Sequence, residues 1–350
     1  CDITSFQEKN GWNNNEMEEA KMASIKSLKT MNDGRDLVAE LIHFPVGFVN
    51  GLRRIILSGI PTVVIRDVQI LENMTQMPHE MMRHRVEMLP VNVTPDESAV
   101  IKDAKIELRI PSAKEAKIVT TEDFTIESGR EGILMKDPEF GAPCLFLKIR
   151  PGEKVHITAR LAVETDGVSQ VETATTGWHI DPNMVKEERK KYIDEHKDDK
   201  DAARYFDNFL IQRCYSRDEK NRPNWFDLQI KSIGVLKARD ILNIAVRILK
   251  KRVEEYVSAA VKNIRHEKDE GTYSISLDIG GHTLGVLMQE VIYQDDVQFV
   301  SYDIPHPLKP EMVLRFNTKK TPEKVLETAK KTIDEYCSVI ENNDGDKSSV

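Results

Sequence analysis

Apolar and polar residues alternate through "MASIKSLKT" and again through "RDLVAELIHF", the period of a strand with one buried face. Between them Asn32, Asp33 and Gly34 are residue types that accept the positive φ of a tight turn. After Pro45 the period lengthens. Phe48, Val49, Leu52, Ile55 and Ile56 recur at three- and four-residue spacing, which predicts a helix ended by Gly59 and Pro61. Thr62 to Ile70 is β-branched and apolar, a strand, and "MPHEMMRHRVEMLP" is a short helix bounded by Pro78 and Pro90. From about 94 to 180, short alternating runs ("IKDAKIELRI", "IVTTEDFTI", "CLFLKI", "VHITARLAV") are separated by turn residues, the texture of a β-rich insert. Residues 181–222 are dominated by charge and read as a solvated helix or linker.

The opening pattern then returns. Phe226, Leu228 and Ile230 mark a strand, and a helix of about 236 to 265 follows, with Ile241, Leu242, Ala245, Ile248, Leu249, Val253, Tyr256, Val257, Ala260 and Ile264 as its stripe. "TYSISLDI" is a strand, and "HTLGVLMQEVI" is a helix with Thr283 as its N-cap. "VQFVSYDI" and "MVLRFNT" are strands. A closing helix has Thr321 as N-cap, Pro322 as its first residue, and Val325, Leu326, Ala329, Ile333, Tyr336 and Ile340 along one side. The order strand, helix, strand, long helix thus occurs twice, at 21–70 resuming at 225–265, and at 271–341. Each copy alone would expose a helix stripe; two packed together would bury both.

Composition narrows the reading. The chain has 350 residues, 40% of them apolar and 31% charged, and a formal net charge of -8. A sizeable core is available, the character is that of a soluble protein, and no stretch approaches a membrane span. The polar N-terminus lacks the apolar run of a secretory signal. An acidic balance argues against bulk affinity for nucleic acid. Cys1, Cys144, Cys214 and Cys337 are far apart and form no CxxC pair, so neither zinc nor redox chemistry is signalled, and a reducing compartment, cytoplasm or nucleus, is expected.

"FVNGLRRIILSGIPTVVIRDVQI" followed by "HEMMRHRVEMLPV" closely resembles the third-largest, α-like subunit of multisubunit DNA-dependent RNA polymerases, and "HTLGVLMQEVIYQDDVQFVSYDIPHPL" resembles the eleventh subunit, its smaller α-like partner. The two motif sets occur in one chain, an arrangement similar to that of some large cytoplasmic DNA viruses. The resemblance implies an α+β fold: two helix-on-sheet dimerisation modules that pair as an intramolecular pseudo-dimer, with a β-rich insert in the first half. The boundaries expected are a flexible extension at 1–20, the larger module at 21–93 and 224–267, the insert with its charged segment at 94–223, the smaller module at 268–341 and a disordered tail at 342–350. The dimerisation core would include Leu52, Ile56, Leu249, Val253, Leu284, Leu287 and Ile333.

The same resemblance implies a non-catalytic assembly platform with no cofactor. Arg53 and Arg54, two adjacent cations in an apolar helix, would face the large subunits, and His84 and Arg85 would dock the second-largest subunit or its small zinc-binding, tenth-type neighbour. The largest subunit would be reached indirectly, DNA only through the complex, and no membrane at all. A viral protein would work in the cytoplasm, in a viral factory or virion; a cellular one in the nucleus. Two positions depart from the family pattern: Val286 stands where the smaller subunit has Asn, and Glu87 where the larger has Gly. No cysteine cluster marks a metal site in the insert. His282 with Thr283, and "PHPL" at 305–308, lack the carboxylates a metal or base site needs. Asp295 with Asp296, and Asp344 with Asp346, lie in a loop and a tail rather than on the rigid frame that magnesium requires. Walker A, HExxH and nucleophile-elbow motifs are missing. The rival reading is a β-rich regulator of transcription that touches DNA itself.

Overall fold

The computed structural model describes residues 22–112, 114–127, 130–165, 168–218, 221–293 and 297–343. The N-terminal extension, most of the tail, Cys1, Asp295, Asp296, Asp344 and Asp346 lie outside these residues. In chain order the elements are β1 (Ser24–Met31), β2 (Asp36–Ile42), α1 (Val46–Ser58), β3 (Thr62–Asn73), α2 (His79–Glu87), α3 (Ser98–Asp103), β4 (Lys105–Ile110), β5 (Lys117–Thr120), β6 (Phe124–Glu127), β7 (Leu145–Ile149) and β8 (Val155–Glu164). There follow β9 (Val171–Trp178), α4 (Pro182–Glu195), α5 (Ala202–Tyr205), β10 (Trp225–Ser232), α6 (Ala238–Lys262), β11 (Ile264–His266), β12 (Thr272–Leu277), α7 (Gly281–Ile292), β13 (Val297–Asp303), β14 (Met312–Thr318) and α8 (Pro322–Glu341). The fold is α+β, built on antiparallel sheets.

The chain divides into two compact units. One holds the described residues of Cys1–Ile55, Ala174–Ile230 and Leu242–Val350; the other holds Ile56–Thr173 and Lys231–Ile241. These bounds differ from the expected insert of 94–223. The reason is pairing: β3 hydrogen-bonds along β8 from Thr62↔Glu164 to Asn73↔Val155, so the strand after the first helix belongs to the insert's sheet, ordered β3-β8-β4-β6. The segment 174–230, by contrast, goes with the first unit.

In the insert unit, Val63, Ile65, Val68, Met82, Val86, Ile106, Leu108, Phe146 and Ile157 form one buried cluster, and Phe124 meets Phe146 edge-on at 5.3 Å. Two stretches differ from the strands expected. "IKDAKIELRI" begins in α3, and only Lys105 onward is extended. "IVTTEDFTI" is interrupted by a 3-10 turn at Thr121–Asp123, where Thr120 and Asp123 form a reciprocal capping box. The turn sends β5 to pair with β7 and β6 to pair with β4.

In the other unit, β1 and β2 join through Asn32, Asp33 and Gly34, all at positive φ, and form the sheet β1-β2-β10-β9. Phe226, Leu228 and Ile230 are buried on one face of β10. The second half has the sheet β11-β12-β14-β13. The long helix stops at Lys262, short of the expected 265, because Asn263 donates from its side chain to the Ala259 carbonyl and the chain turns; Ile264 opens β11 instead of extending the helix stripe. The charged segment contains α4, capped by Asp181, then α5 and a π-helical turn at Phe206–Leu210.

The two halves meet in this unit. Gly47 and Gly51 of α1 face α7: a Cβ at Gly47 would stand 3.2 Å from Leu287 Cα, and one at Gly51 would stand 3.4 Å from Thr283 Cγ2. Phe44 and Phe48 hold Tyr336 of α8 between ring centroids 5.7 and 5.5 Å away. Lys250 of α6 pairs with Glu341 of α8 at 2.6 Å, and Lys330 of α8 with Glu254 of α6 at 3.3 Å. Thr283 does not cap α7. Gly280, at φ 114, takes that position, and Thr283 packs inside the helix. Thr321 stands at the N-cap of α8 without a capping hydrogen bond, followed by Pro322 as expected.

Two outcomes test this packing. At Gly285 of α7 a Cβ would lie 2.5 Å from the Tyr302 ring and 3.0 Å from Met312 sulfur, so Gly285→Ala should destabilise by about 1–3 kcal/mol through overpacking. Gly51→Ala meets only ordinary contact and gains about 0.8–1 kcal/mol of helix propensity, so it should be neutral or stabilising; denaturant melts of the two variants read the contrast. Cys337 on α8 is fully buried, and burial pushes its thiol up to about 12. Alkylation at mildly alkaline pH, mapped by peptide mass spectrometry, should therefore label half-buried Cys144 on the order of 100-fold faster than Cys337. Equal rates would mean that the helices of the two halves separate freely.

Candidate docking surfaces and the joint between the halves

The joint is fixed at the start of α1. Pro45 precedes this helix, and the first N–H groups of any helix have no partner within it. Here Val46 N–H donates to Glu290 Oε1 at 3.2 Å and Gly47 N–H to Oε2 at 2.5 Å. Glu290 is carried by α7 of the second half. A carboxylate on two terminal N–H groups also sits at the positive end of the helix dipole. A side chain at position 47 would reach within 2.8 Å of that carboxylate, so glycine is what lets it approach. Val286, one of the departures from the family pattern, has its Cγ1 3.3 Å from the same point. An apolar side chain thus packs at the crossing.

The residues expected in the dimerisation core, Leu52, Ile56, Leu249, Val253, Leu284, Leu287 and Ile333, are all buried, the most exposed being Leu284 at 5%. Leu249 and Leu284 come together with Ile55 and Tyr256 around a cavity of about 250 Å³ between α1, α6 and the start of α7. Burial pushes the Tyr256 hydroxyl well above the ordinary phenol range.

On the other side of α1, Arg53 is half-buried and Arg54 exposed. The Arg53 guanidinium donates to Asn50 Oδ1, from Nε at 3.2 Å and from Nη2 at 2.9 Å. That partner is neutral, so it orients the charge without cancelling it. His84 and Arg85 are exposed on α2, whose Met82 and Val86 are buried. Arg85 Nη2 reaches the Leu145 carbonyl at 3.4 Å. The two pairs of docking candidates lie in different compact units. Glu87, the second departure, has a partner the sequence did not disclose: Arg66 of β3 lies 3.9 Å away and also grips Glu164 in a two-point contact at 2.9 and 2.6 Å. A long-range pair of this kind leaves no local spacing to read.

The histidines weighed as metal or base candidates have structural contacts. His282 meets Tyr302 edge-on at 6.0 Å, and His306 Nδ1 accepts from Leu308 N–H at 3.1 Å within a turn. Among the described residues, no three His, Cys, Asp or Glu side chains are grouped to hold a metal ion, and no helix is long and apolar enough to cross a membrane.

Comparison with known proteins agrees with this architecture. The model of the RNA polymerase Rpb3/Rpb11 dimerisation domain matches residues 39–253, and a second model of the same domain matches 272–343. The chain is 24% identical over 310 residues to the DNA-directed RNA polymerases I and III subunit rpac1 of Dictyostelium discoideum, covering 74% of this chain and 88% of that protein. It is 22% identical over 306 residues to the corresponding RPAC1 subunit of Saccharomyces cerevisiae, covering 70% and 89%. With the DNA-directed RNA polymerase subunit Rpo11 of Korarchaeum cryptofilum it shares 40% identity over 65 residues, 18% of this chain and 66% of that one. Two dimerisation domains, in the order Rpb3-like then Rpb11-like and joined at α1 and α7, place the chain in the RNA polymerase Rpb3/Rpb11 family as a non-catalytic, Rpb3-like polymerase subunit.

Proposed function

We propose that the chain is the assembly platform of a multisubunit DNA-dependent RNA polymerase, on which the second-largest subunit docks. The carrying observation is that both dimerisation domains lie in one chain with α1 capped by Glu290 of the other half. The pairing that nucleates assembly is then intramolecular and independent of dilution. In this reading Leu52, Ile56, Leu249, Val253, Leu284, Leu287 and Ile333 hold the halves together. Arg53 and Arg54 present charge to carboxylates of the large subunits, and arginine suits such contacts because its planar fork meets a carboxylate at two points. His84 and Arg85 meet the second-largest subunit or a small zinc-binding neighbour. The largest subunit and DNA are engaged through the complex, and nucleotide addition belongs to the partners. Carriage of both copies in one chain supports an origin in a large cytoplasmic DNA virus, with work in the cytoplasm or virion; a cellular polymerase would place the chain in the nucleus.

One pair of variants separates folding from docking. Leu249→Asp sets an unpaired carboxylate at a fully buried position, a change expected to cost roughly 3–5 kcal/mol, so folding and assembly should both fail. Arg53→Glu with Arg54→Glu should leave the free chain melting near wild type. It should still block co-purification of the second-largest subunit, since like charges at an interface cost several kcal/mol. A charge-reversed chain that melts normally and still assembles would show that the two arginines are merely solvated. One that unfolds by itself would place them in the intramolecular core.

A further inference from the structure

Among the described residues of the insert unit, β7 is paired with β5 alone, in a two-stranded sheet. Beside it runs a groove of about 890 Å³ whose far wall is the turn at residues 75–78 and the start of α2. That wall is internally braced. Asn73 Oδ1 accepts from the Thr75 N–H and hydroxyl at 2.9 and 2.8 Å, Asn73 Nδ2 donates to the Met77 carbonyl at 2.8 Å, and Met77 N–H donates to Thr75 Oγ1 at 3.2 Å.

The groove combines two features that a free surface avoids. Met81, Ile118 and Leu145 line it while 58%, 55% and 55% exposed, and large apolar side chains beside an unpaired strand invite pairing with another chain. Its charge is also one-sided, with Arg85, Lys117, Lys148 and Arg150 against Glu153. Lys117 is paired with Asp123, but the exposed side chains of Lys148 and Arg150 have no ion-pair partner among the described residues. Ile118 and Lys148 are directly opposite in the β5–β7 register, so an apolar and a cationic side chain share one face.

We propose that this groove takes an extended segment of a partner protein, alternating apolar and acidic residues, which adds a strand along the free edge of β7. Strand addition supplies affinity through main-chain hydrogen bonds and specificity through alternate side chains. The five residues of β7 span about 17 Å, enough to pair an ordinary strand of five or six residues. Apolar side chains of the segment would cover Met81, Ile118 and Leu145, and its carboxylates would meet Lys148 and Arg150. The inference deepens the docking role given above to α2, since Arg85 stands at one end of the groove on the Leu145 carbonyl.

The test is fluorescence anisotropy of the full chain with a labelled eight-residue peptide alternating Val with Glu and Asp. Its controls are the same peptide with Lys at the acidic positions, and the acidic peptide N-methylated on alternate backbone nitrogens. The acidic peptide should bind, and the other two should not. Lys148→Glu with Arg150→Glu should weaken binding at least about tenfold without lowering the melting temperature. Equal binding of acidic and lysine peptides, undiminished binding by the N-methylated one, or an unchanged affinity in the double variant would overturn the proposal. So would light scattering that shows a second copy of the chain covering the groove. If the double variant fails to fold, the three peptides on the wild-type chain still decide. The outcomes are separable from the platform reading: lost peptide binding with intact co-purification of the second-largest subunit sinks only the strand addition. Intact peptide binding with no polymerase subunit co-purifying sinks only the platform.

Discussion

The contact on which the unit shared by the two halves depends is the capping of α1 by Glu290. A helix that starts with two unsatisfied N–H groups needs acceptors, and here they come from another domain rather than from a local Ser, Asp or Thr. Hydrogen bonds to a charged group contribute about 1.5–3 kcal/mol each; of the two here the Gly47 bond is part-buried, and the Val46 bond is exposed, where water competes for the donor. The contact has a geometric condition, because Gly47 must stay bare for the carboxylate and the α7 backbone to come near. Once that crossing is set, much else follows. The stripe of α1 is held under cover, with Phe48 and Leu52 completely buried. The opposite edge of the helix, with Arg53 and Arg54, is thereby held at one rotation about the helix axis. The placement of two surface charges is thus decided by an apolar face and a distant glutamate.

The period of the apolar residues made the element order legible, since burial of one face leaves a local trace. Phe226, Leu228 and Ile230 read as the inner face of a strand, and they are. The stripe from Val325 to Ile340 read as a buried helix side, and it is, with Tyr336 half-covered between two phenylalanines. What was not legible depended on partners distant in sequence. Glu290 carries no local mark of its role, because the N–H groups it accepts from lie more than 240 residues earlier. The role of Glu87 depends on Arg66, and the assignment of β3 to the insert sheet depends on a strand that follows about ninety residues later. The break in "IVTTEDFTI" was local and could have been seen: Thr120 and Asp123 have the spacing of a capping box. The docking candidates belong to a different class. Their burial can be read from the helix period, but the occupant of an exposed arginine cannot, and Arg53, Arg54, His84 and Arg85 owe their suggested roles to family resemblance.

The two departures from the family pattern carry a shared lesson. Val286 stands in place of a polar Asn and Glu87 in place of a Gly. In the fold each has acquired a contact of its own, Val286 at the crossing of α1 and α7 and Glu87 beside Arg66. A half-exposed ion pair such as the latter contributes little by itself, roughly 0–1 kcal/mol. The two-point grip of Arg66 on Glu164 matters more for geometry than for stability, because it ties the last residue of β8 to β3 just before that strand bulges around Asp67 at positive φ.

The join between the halves is itself part of the fold. A flexible tether would raise the effective concentration of one domain near the other while leaving their orientation free. Here the residues after α6 instead form β11, the edge strand of the second half's sheet, with Ile264 opposite Ile275. The turn that follows is held on several sides. Arg315 of β14 binds both carboxylate oxygens of Glu267, Asn317 Nδ2 donates to the Glu270 carbonyl at 3.0 Å, and Thr272 N–H donates to the Asp269 carbonyl at 3.1 Å. The Arg315 guanidinium holds the Glu267 carboxyl below its ordinary range. Gly271, at φ 72, passes so close to the Thr318 carbonyl that a Cβ would stand 2.9 Å from it. A chain that leaves the first domain's helix therefore enters the second domain's sheet with no slack between them. The orientation that brings Glu290 to the start of α1 is thus constrained at two places, by the crossing of α1 with α7 and by the hairpin of β11 with β12. Fusion in this chain contributes geometry as well as proximity.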